Sequence, residues 1–211
     1  FGIKRDSVSR RWIRASSRKL KEFQERSLSE LDLVVLILDG KWFGDNEMIL
    51  ACGITIHGRK VLLGMIEAST ERYEVCRDFL NGMVGRGLKT DKDVLVVIDG
   101  GKGLRKAVDV VIGERAHVQR CQLHKRENVV GYLPKGRQEE FRHKLQGAYE
   151  TPGYEAAKEK LIHIRAELQP LNLSAVNSLN DGLEETLTLH RLGVFRELGI
   201  SLKTTNLLES I

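Results

Sequence analysis

Two runs of aliphatic residues in this chain each end in an aspartate that is followed by a glycine. The first run is Leu33–Leu38, before Asp39, and the second is Val94–Ile98, before Asp99. Unbroken aliphatic runs of this length are typical of strands that are covered on both faces of a sheet. Ligands of α/β sheets bind beyond the carboxyl ends of the strands, so we expect the two aspartates to converge there.

The hydrophobic periodicity divides the chain into a β-rich block and a helical block. The β-rich block has the order β-β-β-α-β-α-β-α, with strands at 33–38, 48–56, 60–66, 94–98 and 116–119 and helices at about 73–84, 103–112 and 124–133. The helical block runs from 134 to about 200, with helical patterns at 141–149, 154–168 and 171–192. We therefore predict an α/β protein, with a mixed sheet flanked by helices, and an all-helical region after it.

Positive charge is concentrated at the start of the chain. Residues 1–26 carry nine Lys/Arg and three Asp/Glu, whereas the whole chain has a net charge of only +5. The apolar residues of 7–26 recur at helical spacing, so this segment is predicted to be a basic amphipathic helix. Such a helix either binds a polyanion, most often nucleic acid, or presents a solvated face. The candidate DNA-binding residues are Arg10, Arg11, Arg14, Arg18, Lys19 and Lys21.

Composition excludes several classes of protein. With 41% hydrophobic and 30% charged residues, the chain resembles globular rather than disordered proteins. Its longest aliphatic run is far shorter than the roughly 20 residues that span a bilayer, so we expect no membrane partner. Residues 1–18 are basic throughout and lack the apolar stretch of a signal peptide. An odd, sparse set of cysteines favours a reducing cytoplasm over a disulfide framework; these are Cys52, Cys76 and Cys121.

The aspartate pair suggests a metal site. Two close carboxylates repel each other, so they shift their pKa values or recruit a cation, and hard oxygen ligands suit Mg²⁺, with Mn²⁺ as a substitute. Either Asp-Gly pair alone is more often just a turn, and it is the presence of two on such similar strands that favours a metal site. A third carboxylate would hold the ions more firmly, and both Glu67 and Glu209 are candidates. Glu209 lies three residues after Asn206, a spacing that also fits a helix capping box.

Two further motifs lie near the second aspartate. Cys121 and His124 form half of a zinc pattern without a second pair, and packing or orientation beside the aspartates is the alternative. The glycine-rich segment 100–103, which includes Lys102, superficially resembles a phosphate loop but lacks the Walker spacing. Its glycines could admit substrate close to Asp99, or could form a tight turn between strand and helix.

These motifs occur together in a known family. In chain order they are Leu-Asp39-Gly40-Lys41; Ile-Asp99-Gly100-Gly101-Lys102-Gly103-Leu104; Arg120-Cys121-Gln122-Leu123-His124-Lys125 with Asn128; Leu189-His190-Arg191-Leu192-Gly193; and Lys203-Thr204-Thr205-Asn206 through Glu209-Ser210. In this combination the sequence resembles the Mutator-type DDE transposases of bacterial insertion sequences. The resemblance extends over essentially the whole chain.

The resemblance implies an RNase H-like core in which Asp39, Asp99 and Glu209 are the catalytic residues and ligands of Mg²⁺. Cys121, His124, Lys102 and Asn206 would lie in the neighbourhood of the active site. The implied domains are a basic helix ending a DNA-binding domain at 1–31, the catalytic core at 32–134, a helical insertion at 135–200, and the start of the helix carrying the third acid at 201–211.

The resemblance also implies the activity. The enzyme would cut DNA at transposon ends and transfer the freed strand into target DNA by a two-metal mechanism. Its partners would be double-stranded DNA and further copies of itself, as a homodimer or a larger assembly. It would act in the bacterial cytoplasm, associated with the nucleoid.

Two other functions fit parts of the sequence. The chain could be a catalytically silent DNA-binding fragment or regulator that uses the basic helix and has the core as its scaffold. It could also be a phosphatase with a strand-end aspartate as nucleophile. That chemistry usually requires a second aspartate two residues later, and position 41 is a lysine.

Overall fold

The computed structural model describes residues 5–68 and 72–206, with side chains given for 12–41, 44–68 and 72–206. Its helices and strands, in chain order, are α1 (Arg5–Glu25), β1 (Leu33–Phe43), β2 (Asn46–Thr55), β3 (Lys60–Glu67), α2 (Tyr73–Gly85), β4 (Val94–Ile98), α3 (Lys102–Val111), β5 (Ala116–Arg120), α4 (Gln122–Val130), α5 (Lys135–Tyr149), α6 (Tyr154–Leu168), α7 (Leu173–Asn180), α8 (Leu183–Thr186), α9 (Thr188–Arg191) and α10 (Phe195–Leu202). None of these helices is long and apolar enough to cross a membrane. The predicted order of strands and helices in the β-rich block is confirmed.

The five strands form one mixed sheet in the order β3-β2-β1-β4-β5. Strands β1, β2 and β3 are antiparallel neighbours, and the predicted hairpin between β2 and β3 is confirmed. Strand β4 runs parallel to both β1 and β5. This strand order and these orientations are consistent with an RNase H-like core.

Both faces of the sheet are covered, as the aliphatic runs predicted. On one face, alternate residues of β1, β2 and β4 pack against α2 and α3, for example Leu36 and Val96 against Leu80 and Leu104. On the other face, Ile37 and Val97 form a cluster with residues of the helical block. These are Leu189, Val194, Phe195 and Leu202. The end of the helical block is therefore part of the structure that encloses the sheet.

Strand β1 continues past the point where its sequence predicts an end. Asp39 pairs with Leu50, Gly40 with Ile49, and the antiparallel ladder to β2 extends to Phe43. The parallel ladder to β4, in contrast, ends at Leu38 and Ile98. The Asp39-Gly40 pair therefore marks the end of the parallel pairing and not the end of the strand, because β2 still supplies hydrogen bonds along the other edge of β1.

The helical block has its own core and one unexpected break. Helices α5, α6 and α7 pack with α4 in a cluster that includes Val129, Phe141, Leu161 and Leu179. The single helix predicted at 171–192 is wrong, since three short helices occupy this stretch. The break follows Asn180-Asp181 at Gly182, whose φ of +72° is left-handed and incompatible with a continuing α-helix. The predicted domain boundaries stay a prediction.

Candidate active site

Asp39 and Asp99 occupy equivalent positions on neighbouring parallel strands. The last paired residues of β1 and β4 are Leu38 and Ile98, and each aspartate follows directly. Since adjacent strands lie about 4.8 Å apart, the two residues start from adjacent positions of the sheet. Alternation along β1 places Asp39 on the same face as Ile37, which is the face covered by α9 and α10. The predicted convergence of the two aspartates at one end of the sheet is therefore what the fold produces.

The carboxylate of Asp39 is buried and has few partners. The residue is 1% exposed, and neither carboxylate oxygen accepts a hydrogen bond within the described part of the chain. The Nζ atom of Lys41 lies 3.4 Å from Oδ2 of Asp39. Burial raises the pKa of Asp39 and the nearby Asp99 adds to the rise, while Lys41 and His124 oppose it. A buried carboxylate with free lone pairs is costly to the fold unless a cation or a proton joins it.

Asp99 is partly exposed and its orientation is fixed locally. Oδ1 of Asp99 accepts a hydrogen bond from the backbone N–H of Gly101 at 3.0 Å. Between them, Gly100 adopts a φ of +113°. This Asx-type turn orients one oxygen toward the backbone of the loop and leaves the other available.

Cys121 and His124 lie beside the aspartates as a polar pair. Cys121 is fully buried, and its N–H donates to the carbonyl of Ile98, the residue before Asp99. A hydrogen bond with Cys121 raises the pKa of His124 to about 9, against the effect of burial, and the charges of Asp39 and Asp99 add to the rise. Burial favours the neutral thiol of Cys121, but His124 outweighs it and lowers the pKa of that thiol. At neutral pH His124 therefore supplies positive charge to the site.

The segment that precedes Glu209 is tied to this same place. The N–H of Gln122 donates to the carbonyl of Lys203 at 2.9 Å. Thr205 is fully buried, and its hydroxyl lies 3.9 Å from the sulfur of Cys121. Glu209 itself lies outside the described residues. Across the ranges 5–68 and 72–206, no three His, Cys, Asp or Glu side chains form a group that could hold a metal ion.

Two other predicted neighbours line separate cavities. Lys102, exposed at the start of α3, lines a polar cavity of about 860 Å³ together with Arg120 and Lys125. Asn206 lines a second cavity of about 430 Å³ beside Gln122. Neither cavity is lined by Asp39 or Asp99.

The basic helix α1 lies outside the compact core. Its side chains from position 12 to 22 are exposed, including Arg14, Arg18, Lys19 and Lys21. The side chains of Arg10 and Arg11 lie outside the described residues. The helix contacts the sheet near its C-terminal end, where Nε2 of Gln24 donates to the carbonyl of Met65 at 3.3 Å.

Three residues of this region carry structural roles that sequence reasoning did not assign. Lys41 pairs with Asp39, and its position two residues later on the same strand face was the available signal. Thr205 contacts Cys121 from far along the chain, and Arg120 binds the loop after Asp99. For these last two no local pattern marks the contact, because the partners are separated by long stretches of sequence.

The whole sequence matches a known family model. That model describes the transposases of the Mutator family, and the match covers residues 2–211. The chain belongs to this family. The resemblance seen in its motifs is thereby confirmed.

Individual members of this transposase family are moderately similar to the chain. The transposase for insertion sequence element ISRM5 of Rhizobium meliloti (strain 1021) is 32% identical over 200 residues, which cover 91% of this chain and 49% of that protein. The transposase for insertion sequence element IS256 in transposon Tn4001 of Staphylococcus aureus is 29% identical, covering 97% and 55%. The transposase for IS6120 of Mycolicibacterium smegmatis is 30% identical, covering 90% and 59%. The chain thus spans about half the length of these curated relatives.

Proposed function

We propose that this chain carries the catalytic core of a DNA transposase that cuts DNA at the ends of an insertion sequence and joins the freed strand to target DNA. Membership of the Mutator family and the names of the relatives support the class of reaction. The observation that carries the proposal is the pair of aspartates at the end of two parallel strands. One of them, Asp39, is buried, neither of its carboxylate oxygens accepts a hydrogen bond from a described residue, and Lys41 lies 3.4 Å from Oδ2.

The residues present suit a divalent cation. Neither oxygen of Asp39 accepts a hydrogen bond from a described residue, and Asp99 has one oxygen free of the loop. Carboxylate oxygens are the hard donors that Mg²⁺ or Mn²⁺ prefers. We propose Asp39, Asp99 and Glu209 as the ligands. Bound Mg²⁺, or Mn²⁺ in its place, would stabilise the attacking and leaving oxygens of an in-line displacement at phosphorus, as in two-metal enzymes.

The chain's own residues would prepare the site for this chemistry. The sheet fixes the backbone of Asp39, so its carboxylate needs little reorganisation to act as a ligand. Lys41 and His124 supply positive charge that opposes the rise in the pKa of Asp39 caused by its burial. The same charges would attract a DNA phosphate to the carboxylate pair.

Glu209 would complete the site from the far end of the chain. The backbone bond from Gln122 to Lys203 and the buried side chain of Thr205 hold the preceding segment against Cys121, next to the aspartates. This tether supports a core of the RNase H-like type in which residues 135–200 are a helical insertion between the second and third acids.

Helix α1 would supply part of the DNA contact. It is exposed and basic, and phosphate contacts from arginine and lysine dominate the affinity of proteins for DNA. We propose double-stranded DNA, as transposon ends and as target, as the partner. Joining two ends further implies a homodimer or a larger assembly on the DNA.

The test is cleavage of end-sequence DNA by the full-length protein with Asp39→Asn or Asp99→Asn. We expect cleavage to fall by more than about 100-fold, since even residues that only support metal ligands cost 10- to 100-fold when changed, while DNA binding is retained. Asp91→Asn, an exposed aspartate, is the matched control. Unchanged cleavage by both variants would refute the proposal, and a wild-type protein that binds DNA but never cuts it would point to a silent DNA-binding role.

A further inference from the structure

One buried arginine joins the loop after Asp99 to the helical block. Arg120 is the last residue of β5, is 8% exposed and lies opposite Ile98 of β4. Its Nη2 donates to the carbonyl of Gly100 at 2.9 Å, and its Nη1 donates to the carbonyl of Asp181 at 2.9 Å. Nη2 also lies 3.0 Å from Oδ2 of Asp181. A single planar guanidinium therefore bridges the loop after β4 and the turn between α7 and α8.

The two glycines that flank this guanidinium leave no room for a side chain. Gly100 has a φ of +113°, and a Cβ atom there would lie 2.1 Å from Nε of Arg120. Gly182 has a φ of +72°, and its Cβ would lie 2.3 Å from Nη1. Both positions need glycine for their backbone conformation and for the close approach of Arg120. The requirement at Gly100 thus has a source inside the protein, as in the tight turn that was one of the sequence alternatives, and the close approach of Arg120 adds a second reason.

Two more cations bind the residues around this turn: Lys125 binds the turn itself, and Arg105 binds helix α8. Nζ of Lys125, which is 1% exposed, donates to the carbonyls of Ser178 and Asp181. Nε of Arg105 donates to Glu185 at 2.6 Å. Of these three cations, Arg120 also donates to the loop that follows Asp99. Its guanidinium thus links the placement of this turn directly to the carbonyl of Gly100, next to Asp99.

The hydrogen bond from Arg120 to the carbonyl of Gly100 lies directly beside the hydrogen bond that orients Asp99. Gly100 lies between Asp99 and Gly101, whose N–H holds Oδ1 of Asp99. Fixing the carbonyl of Gly100 therefore fixes the peptide on which that hydrogen bond depends. If Arg120 were removed, the carbonyls of Gly100 and Asp181 would lose a buried charged donor. The loop would keep the bonds that Gly101 makes with Asp99 and with the N–H of Arg105, but the carbonyl of Gly100 would no longer be fixed.

We propose that Arg120 is a positioning residue for the DNA reaction: it holds the Gly100–Gly101 loop so that Asp99 presents its carboxylate beside Asp39, and it makes that placement depend on the turn at Asp181-Gly182. The inference rests on the proposed function of Asp99 as a metal ligand. Arg120 acts through the backbone of Gly100 and is not itself a ligand.

The experiment measures single-turnover cleavage by the full-length protein against Mg²⁺ concentration. With Arg120→Gln we expect the Mg²⁺ midpoint to rise by about 10- to 100-fold, the range found for residues that orient metal ligands. DNA affinity should be unchanged, and saturating Mn²⁺ should restore most of the rate. The matched control is Arg115→Gln, an exposed arginine just before β5, with an unchanged midpoint. An Arg120→Gln midpoint equal to that of the wild type would overturn the inference.

A second variant covers the case in which Arg120→Gln does not fold. Gly182→Ala introduces a Cβ against Nη1 and should raise the Mg²⁺ midpoint in the same direction by displacing the guanidinium. In a double-mutant cycle, the midpoint of the double variant should rise by less than the product of the two single effects, because the clash with Nη1 has gone and only the backbone strain at Gly182 remains. Independent effects on the midpoint, or no effect of Gly182→Ala alone, would contradict the inference. A wild-type protein whose cleavage needs neither metal nor Asp99 would instead refute the proposed function.

Discussion

The charged residues at the end of the sheet and those of helix α1 were both identified from the sequence, but they differ in burial and in the origin of their neighbours. Asp39 is almost completely buried, and the groups that act on its carboxylate are Lys41 on the same strand and three residues distant in sequence, namely Asp99, His124 and Thr205. The cations of α1 are exposed, and their ion pairs are local, for example Lys19 with Glu22 at 2.9 Å. Tertiary structure therefore determines the environment of the first group, while helix geometry alone determines that of the second.

The difference teaches which charges can carry chemistry. Burial makes an unpartnered carboxylate expensive and so gives it a large affinity for a cation. Exposure leaves a cation hydrated and screened, so that it contributes through long-range attraction to phosphates rather than through a defined geometry. On this basis the sheet end should control the reaction and α1 should control the affinity for DNA.

The largest effect that would separate these two roles is expected on DNA affinity, when the cations of α1 are removed. Replacing Arg14, Arg18, Lys19 and Lys21 with glutamine should weaken binding of duplex DNA by more than about tenfold. The slope of log K against log salt should become shallower by about 3 to 4, as expected when about four phosphate contacts are lost. Fluorescence anisotropy across a salt series measures both quantities.

The control for α1 changes an equal number of exposed cations on the helical block. These are Lys135, Arg137, Lys160 and Arg165. If this control variant lost as much affinity and as much salt dependence as the α1 variant, net charge would explain binding and the role assigned to α1 would fail.

A smaller effect is expected for the free energy of unfolding when Asp39 is replaced. Most substitutions destabilise a protein, whereas this one should stabilise it at neutral pH. Burial raises the pKa of Asp39, so its charged form opposes folding, and the free energy of unfolding of the wild type should fall as pH rises above about 4 through that raised pKa. Asp39→Asn lacks this loss. In metal chelator it should be as stable as the wild type at acid pH and more stable at pH 7, by urea unfolding.

The same measurement on Asp91→Asn, an exposed aspartate, should show no such pH-dependent difference. An Asp39→Asn protein that is less stable than the wild type at pH 7 would contradict this. It would show that the charged carboxylate stabilises the metal-free fold and does not need a cation to offset its burial.

The smallest effect is expected from the surface ion pair of α1. Lys19 and Glu22 are both exposed, and such pairs contribute little because solvent and salt screen them. Glu22→Gln should leave the thermal midpoint unchanged within error. A clear loss of stability would mean that α1 depends on its charges for folding and not only for binding.

Local sequence patterns predicted those helices and strands whose formation depends on nearby residues. The strands, the hairpin and the helices against the sheet follow from aliphatic runs, alternation and helical spacing. The convergence of Asp39 and Asp99 followed from the general rule for the ends of parallel strands. The extension of β1 past Asp39 was missed, because it depends on antiparallel pairing with β2, in which Leu50 and Ile49 lie opposite Asp39 and Gly40.

The remaining errors have the same physical origin. The break in 171–192 was signalled by Asn180-Asp181-Gly182, but the apolar spacing continued through it and masked the turn. The bridge formed by Arg120 had no signal at all, since its partners lie 20 and 61 residues away. The role of Glu209 as the third ligand stays a prediction.

The most direct test of the account is an anomalous-diffraction structure of the full-length protein with DNA and Mn²⁺. The account predicts anomalous density bound by carboxylate oxygens of both Asp39 and Asp99, with Glu209 on the same ion or on its neighbour. Density elsewhere, with the two aspartates bound to no shared ion, would contradict it.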